Sequence, residues 1–228
     1  MANVRVNNFT ISLDGYGAGP DQSLDEPLGI GGESLHEWML ATRTGHRVVL
    51  GRDGGETGVD DDFAARGHDG IGATIMGRNM FGPIRGPWGD EEWSGWWGDE
   101  PPYHHPTYVL THHPHPAIPM QGGTTFHFVD GGIEAALEQA RETAGGKDVL
   151  IAGGASTIRQ FLRARLLDEL HVAIAPIFLG GGERLFDDLG DAAGSYECVE
   201  LVSSPAAVHV RLAPTPERTS SARARSGG

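Results

Sequence analysis

Residues 146–182 constrain the fold more than any other stretch, because they spell out a complete strand–turn–helix–strand unit around VLIAGGASTIRQFL. Val149, Leu150 and Ile151 form an apolar run too short for a helix, the pattern of a buried strand. Gly153 and Gly154 follow at once. Ser156 and Thr157 then precede Ile158, Phe161, Leu162 and Leu166, which recur along one helical face. Leu170, Val172 and Ile174 alternate with His171, Ala173 and Ala175 as a second strand. A βαβ unit of this kind implies a parallel strand pair joined by a right-handed crossover.

The turn itself has chemistry. Glycine lets a backbone approach a bulky ligand, and the first N–H groups of a helix lack partners inside it. Backed by the helix dipole, they favour an anion such as a phosphate or diphosphate. The competing reading is that Gly153 and Gly154 only make a tight corner. A second corner of the same type follows the apolar run at 71–76, at Gly77-Arg78-Asn79-Met80. An arginine in a first helical turn is unfavourable unless an anion neutralises it, which makes Arg78 a phosphate candidate.

The chain has 228 residues and a formal net charge of −14, which argues against nucleic acid or an anionic membrane as a general partner. An anionic ligand would therefore need a local basic or helix-terminus site. With one cysteine, Cys198, neither an intrachain disulfide nor a multi-cysteine metal site is expected. No apolar run approaches the ~20 residues of a membrane helix. The opening MANVRVNNFTISLDG shows no signal-peptide core, so the expected location is cytoplasmic.

In chain order, residues 4–13 read as a strand whose alternation breaks phase near Asn7-Asn8. Residues 14–28 read as a long glycine- and aspartate-rich loop. A helix is expected over 33–43, with Ser34 available as its cap. Residues 43–69 read as a surface segment with a short helix near 60–66. Residues 107–111 and 124–129 are further strands, the second followed by a helix that Asp130 can cap. The segments 196–202 and 207–212 read as an antiparallel pair at a sheet edge. One domain is expected over residues 1–213, with 214–228 a disordered tail.

Two clusters stay open. Residues 82–102 carry four of the five tryptophans and no periodicity; their rings either floor a pocket or pin the loop to the body. His104, His105, His112, His113 and His115 invite a metal reading, but the intervening prolines splay neighbouring side chains, and no metal site is expected. His112 and His113 follow a strand end, where ligands gather in α/β sheets.

The order strand–Met76-Gly77-Arg78–helix, strand–Leu110-Thr111, strand–Gly153-Gly154–Ser156–helix resembles the dihydrofolate reductase superfamily. The run Ser12-Leu13-Asp14-Gly15, with Leu167-Asp168-Glu169-Leu170 and the following APIFLGGG, resembles more closely the reductase domain of the bifunctional riboflavin-biosynthesis deaminase/reductase and stand-alone bacterial proteins of that kind. The resemblance implies an α/β fold with a mixed, mainly parallel sheet flanked by helices, a C-terminal antiparallel pair, and NADPH across the strand ends. It assigns Gly77, Arg78, Asn79 and Met80 to the adenosine-side phosphates, and Leu110, Thr111, His112 and His113 to the adenine ribose and its 2′-phosphate. Gly153, Gly154, Ala155, Ser156, Thr157 and Ile158 take the diphosphate. Residues 14–20, with Gly17 and Ala18, close over the nicotinamide. Relatives of the riboflavin type pair through sheet edges, so a homodimer is expected.

The departures bear on the substrate. Leu35 falls near the place of the pterin-binding carboxylate, and Ala152 stands where the riboflavin reductase carries a glutamate; neither parent substrate is supported. Candidate proton donors are Asp14, His36 and Glu37, with histidine closest to neutral pH by nature. The leading expectation is an NADPH-dependent reductase of a small heteroaromatic or carbonyl/imine substrate. The alternative is a dinucleotide-binding module without redox turnover.

Overall fold

The computed structural model describes residues 2–82, 86–89 and 93–216. The strands are β1 (Val4–Ser12), β2 (Tyr16–Ala18), β3 (Ile71–Gly77), β4 (Pro106–Leu110), β5 (Ile118–Pro119), β6 (Thr125–Val129), β7 (Asp148–Gly153), β8 (Glu169–Ala175), β9 (Glu183–Arg184), β10 (Tyr196–Ser203) and β11 (Val208–Pro214). Nine of them form one sheet in the order β10-β11-β8-β1-β7-β3-β4-β6-β5. The central run from β8 to β6 is parallel throughout, while β5, β10 and β11 pair antiparallel at the two edges. The mixed, mainly parallel α/β sheet with a C-terminal antiparallel pair is the fold class expected from the sequence.

The helices are α1 (Glu37–Leu40), α2 (Arg43–Val48), α3 (Val59–Arg66), α4 (Arg78–Phe81), α5 (Gly132–Thr143) and α6 (Ala155–Arg163). The apolar face read in the sequence for α6 is the buried one: Ile158, Phe161 and Leu162 pack into the main core with Val149 and Ile151 of β7. Burial of each such side chain stabilises the fold by roughly 1.5–3 kcal/mol. The phase break in β1 is a bulge: its register against β8 shifts between Val6 and Phe9, and Asn8 takes a left-handed φ of 55°. Among the described residues no helix is long and apolar enough to cross a membrane.

Several expectations change. The single helix over 33–43 is instead a 3-10 turn, Gly32–His36, running into α1 and then a separate α2. Thr42 makes the break: extended at φ −76°, ψ 159°, it accepts a hydrogen bond from the Gly45 N–H at 2.9 Å and caps α2. Its hydroxyl also donates to Met39 O at 2.7 Å. The two helices can turn this tightly because a Cβ on Gly45 would lie 2.1 Å from Met39 O. Ser34 caps nothing, since the residue before the 3-10 turn is Gly31. Asp130 does not cap α5 either; Gly131 occupies the cap position without a side-chain bond.

The segment 43–69 is not wholly at the surface. Thr44, Asp61, Phe63 and Ala64 are buried, and Asp61 accepts from the Thr44 N–H at 2.8 Å while pairing with Arg43 at 3.2 Å. The 14–28 loop contains β2, which pairs with β9 in a small second sheet. At the C-terminus β11 runs to Pro214, and the Thr215 N–H bonds Ser195 O at 2.9 Å. The rest of the expected tail, 217–228, lies outside the described residues.

Candidate functional site

Strand order reverses around β7, which sits between β1 and β3, and ligands in open α/β sheets gather at such points beyond the strand ends. A cavity of about 740 Å³ lies there, lined by the last residues of β3, β4, β6 and β7 (Gly77, Leu110, Val129 and Gly153). That volume falls within the ~300–1,000 Å³ typical of ligand pockets.

The corner between β7 and α6 is built from backbone. Gly153 has φ 134°, a conformation that side chains rarely adopt. Gly154, the N-cap of α6, has an ordinary φ of −73°, yet a Cβ there would meet nothing within 4 Å. Since Gly154 lines the cavity, the missing side chain leaves room for a ligand against the first turn of α6. Gly77 has a different role. A Cβ there would lie 2.5 Å from Thr157 Oγ1, so its absence lets the end of β3 close onto the start of α6.

Arg78 follows on α4, with its guanidinium 3.3 Å from the centre of the Trp88 ring. Its Nη1 donates to Thr111 Oγ1 at 2.9 Å, while its Nε is buried with no hydrogen-bond partner among the described residues. Burial pushes its pKa below the usual arginine value, because the cation has lost water. A desolvated guanidinium with an unused donor is suited to an anion. Thr111 also accepts from the His113 N–H at 3.0 Å, so Arg78 and the turn after β4 are tied together. The donor set (backbone at the α6 start and Arg78, braced by Thr111) fits the phosphates of a dinucleotide.

Of the residues assigned to cofactor from the sequence, Gly17, Ala18, Gly77, Arg78, Asn79, Met80, Leu110, Thr111, His112, His113 and Gly153 to Thr157 all line this one cavity. Ile158 does not: it is fully buried in the core cluster beneath α6.

The candidate donors separate. Asp14 is not among the lining residues. Its carboxylate accepts from the Ser12 hydroxyl at 2.6 Å and from the N–H groups of Leu179 and Gly180 at 3.1 and 2.8 Å, fastening the β1 turn to the segment after β8. The Ser12 hydroxyl above all, helped by those amides and opposed by desolvation, holds its pKa at about 2. A group this acidic is ionised at neutral pH and has no proton to give. Glu37 is exposed and likewise outside the cavity. His36 does line it; its Nδ1 is buried with no hydrogen-bond partner of good geometry among the described residues, and burial lowers its pKa against the opposing pull of the Gly32 backbone.

The tryptophan loop does both of the things open to it. Trp96 and Trp97 line the cavity. Trp88 and Trp93 are pins, their Nε1 atoms donating to His113 O and Phe81 O, each at 2.9 Å. The histidines disperse: His105 Nε2 lies 2.7 Å from Thr74 Oγ1, His104 Nδ1 2.8 Å from Gly122 O, and the His115 ring lies tilted against Trp88. Among the described residues no group of three or more His, Cys, Asp or Glu could hold a metal ion.

One wall was missed by sequence reasoning. Asn7, Asn8, Phe9 and Thr10 of β1 line the cavity, facing Leu28, Met39 and Tyr103 from distant segments. The break of phase at Asn7-Asn8 was the only local signal.

A model of the RibD C-terminal domain matches residues 4–210. The chain belongs to this family. Among solved structures, a putative riboflavin biosynthesis protein from Shewanella sp. PV-4 is 24% identical, with a TM-score of 0.57 over 95% of this chain and 100% of that one. A diaminohydroxyphosphoribosylaminopyrimidine deaminase/5-amino-6-(5-phosphoribosylamino)uracil reductase from Thermotoga maritima is 15% identical, with a TM-score of 0.53 over 94% of this chain and 57% of that one. Dihydrofolate reductase from Enterococcus faecalis, in complex with NADP(H), is 13% identical with a TM-score of 0.50, covering 93% of this chain and 97% of that one. These likenesses are of fold. The uncharacterized protein YyaP of Bacillus subtilis is 46% identical over 44 residues, only 19% of this chain and 23% of that protein. As a RibD C-terminal domain the chain is homologous to reductase domains.

Proposed function

We propose that this RibD C-terminal domain is an NADPH-dependent reductase that delivers hydride to a small heteroaromatic or carbonyl/imine substrate. The observation that carries the reading is the convergence of the Gly153-Gly154 corner, the start of α6, and the Arg78–Thr111 pair on one cavity. The α6 amides and Gly154 would hold the diphosphate, Arg78, braced by Thr111, the phosphate on the adenosine side, and residues 17–18 the nicotinamide end. NADPH supplies the hydride when bound; the chain supplies position, exclusion of water and a proton. Beyond the corners the cavity is also lined by Asn7 to Thr10, His36, Met39, Trp96 and Tyr103, a wall that the cofactor assignment does not use, which favours an enzyme over a module that only binds dinucleotide. Of the three candidate residues His36 is the one that reaches this space, where burial favours its neutral ring.

The test is NADPH titration followed by NADPH oxidation against a panel of pyrimidinones, pterins, imines and ketones. Saturable binding with turnover on at least one member is expected. Tight binding without turnover across the panel would favour the binding module.

A further inference from the structure

Behind the β1 wall lies a buried polar cluster that the cofactor corners do not use. The backbone N–H of Asn8 donates to His171 Nδ1 at 3.1 Å. A ring nitrogen that accepts carries no proton, so in neutral His171 the proton is on Nε2. Nε2 lies 3.1 Å from His209 Nδ1 and donates to it. By the same rule His209 carries its proton on Nε2, which donates to Asp60 Oδ1 at 2.8 Å. The chain therefore has one direction, from a backbone amide through two histidines to a carboxylate.

Its surroundings hold it dry. His171 and His209 are 2% and 0% exposed. Phe63 stacks on His209 at 4.2 Å and on His171 at 4.8 Å, and Trp38 meets His209 edge-on at 4.9 Å. Burial, with His209, Arg66 and Arg211 adding to it and Glu200 opposing, lowers the His171 pKa to about 3 and keeps the ring neutral.

The same cluster grips two residues of the cavity wall. Asn8 sits at the left-handed position of the bulge, and its Nδ2 also donates to Ala64 O at 3.0 Å. Thr10 Oγ1 accepts from Trp38 Nε1 at 2.9 Å, which leaves the hydroxyl proton free to donate. Between them Phe9 packs against both Gly17 and Gly153, so this wall adjoins the nicotinamide end of the proposed site.

We infer that Asp60, His209 and His171 are positioning residues: they fix the β1 bulge so that Asn8 and Thr10 present a set polar edge to the nicotinamide and substrate end of the cavity. The inference rests on the reductase reading. Its test compares NADPH with adenosine 2′,5′-diphosphate, which fills only the adenosine end, in His171→Phe, Asp60→Leu and Asp60→Asn. Asparagine still offers an oxygen to His209 Nε2. The first two variants should weaken NADPH about 5-fold or more, with the adenosine diphosphate unchanged within about 2-fold and Asp60→Asn close to wild type. Equal NADPH affinity in all folded variants, equal weakening of both compounds, or failure of Asp60→Asn to rescue would overturn it. If the variants do not fold, histidine-resolved NMR of the wild type decides: NADPH should shift the His171 Nδ1 signal and adenosine 2′,5′-diphosphate should not, and identical responses would overturn the inference. If adenosine 2′,5′-diphosphate and NADPH both fail to bind the wild type, the reductase reading falls, and this one with it.

Discussion

The two sides of the cavity are made in opposite ways. The proposed phosphate side is local: Gly153, Gly154 and the first turn of α6 are consecutive residues, and Gly77 is followed directly by Arg78. The β1 side is assembled across the chain, with Asn8 held by His171, 163 residues away, and His209 held by Asp60, 149 residues away. A site made of backbone amides announces itself in sequence, because glycine and a helix start are sufficient signals. A site made of side chains that support one another through the sheet does not.

The sharpest way to break this contrast is at the glycines. Gly154→Val places its side chain in open cavity, so NADPH binding should weaken about 100-fold or more, roughly 2.7 kcal/mol, while Tm stays within about 2 °C of wild type. Gly77→Val should do the reverse, losing about 1–3 kcal/mol of stability to the clash with Thr157. Calorimetry and thermal melts on the two variants check both. Equal loss of fold in each would mean that the β7–α6 corner serves packing alone.

Arg78→Ala comes next. It would remove the proposed charged hydrogen bonds to phosphate and should weaken NADPH by about 1.5–3 kcal/mol. An unchanged dissociation constant would take Arg78 out of the site.

The β1 side should show itself through pH. His171, held near 3 in the fold by burial first of all, binds a proton far more readily once unfolded, where an ordinary histidine titrates near 6.5. The unfolded state therefore gains protons as pH falls, and this residue's contribution to stability is complete above about 6.5 and lost towards about 3, by up to about 1.4 kcal/mol per pH unit. Urea denaturation across that window should give a slope that His171→Phe reduces. A slope identical in the variant would contradict a neutral buried ring.

Trp88→Leu is the smallest effect: loss of the ring beside Arg78 should weaken NADPH by about 0.5–2 kcal/mol, measured in the same titration.

The same division explains what could be read in the sequence. β7, α6 and β8 were legible because each follows its own periodicity, and the bulge in β1 because a broken alternation is itself a local signal. The break at Thr42 was not, since the helical spacing of Leu35, Trp38 and Met39 gives no hint that a threonine hydroxyl ends one helix while its oxygen starts the next. Asp14 is a related case. A carboxylate beside a glycine-rich loop suits a proton donor as well as a brace, and only the distant amides of Leu179 and Gly180 decide for the brace. His171 looked like one position in an alternating strand because β8 is buried on both faces, where alternation no longer separates core from solvent.

The most direct measurement is a titration of the wild-type protein with NADPH, followed by quenching of tryptophan fluorescence, since Trp88, Trp96 and Trp97 surround the site. Saturable quenching at one NADPH per chain, weakened by Arg78→Ala and weakened most by Gly154→Val, is the predicted result. A protein that stays folded and shows no saturable response to NADPH would contradict the account.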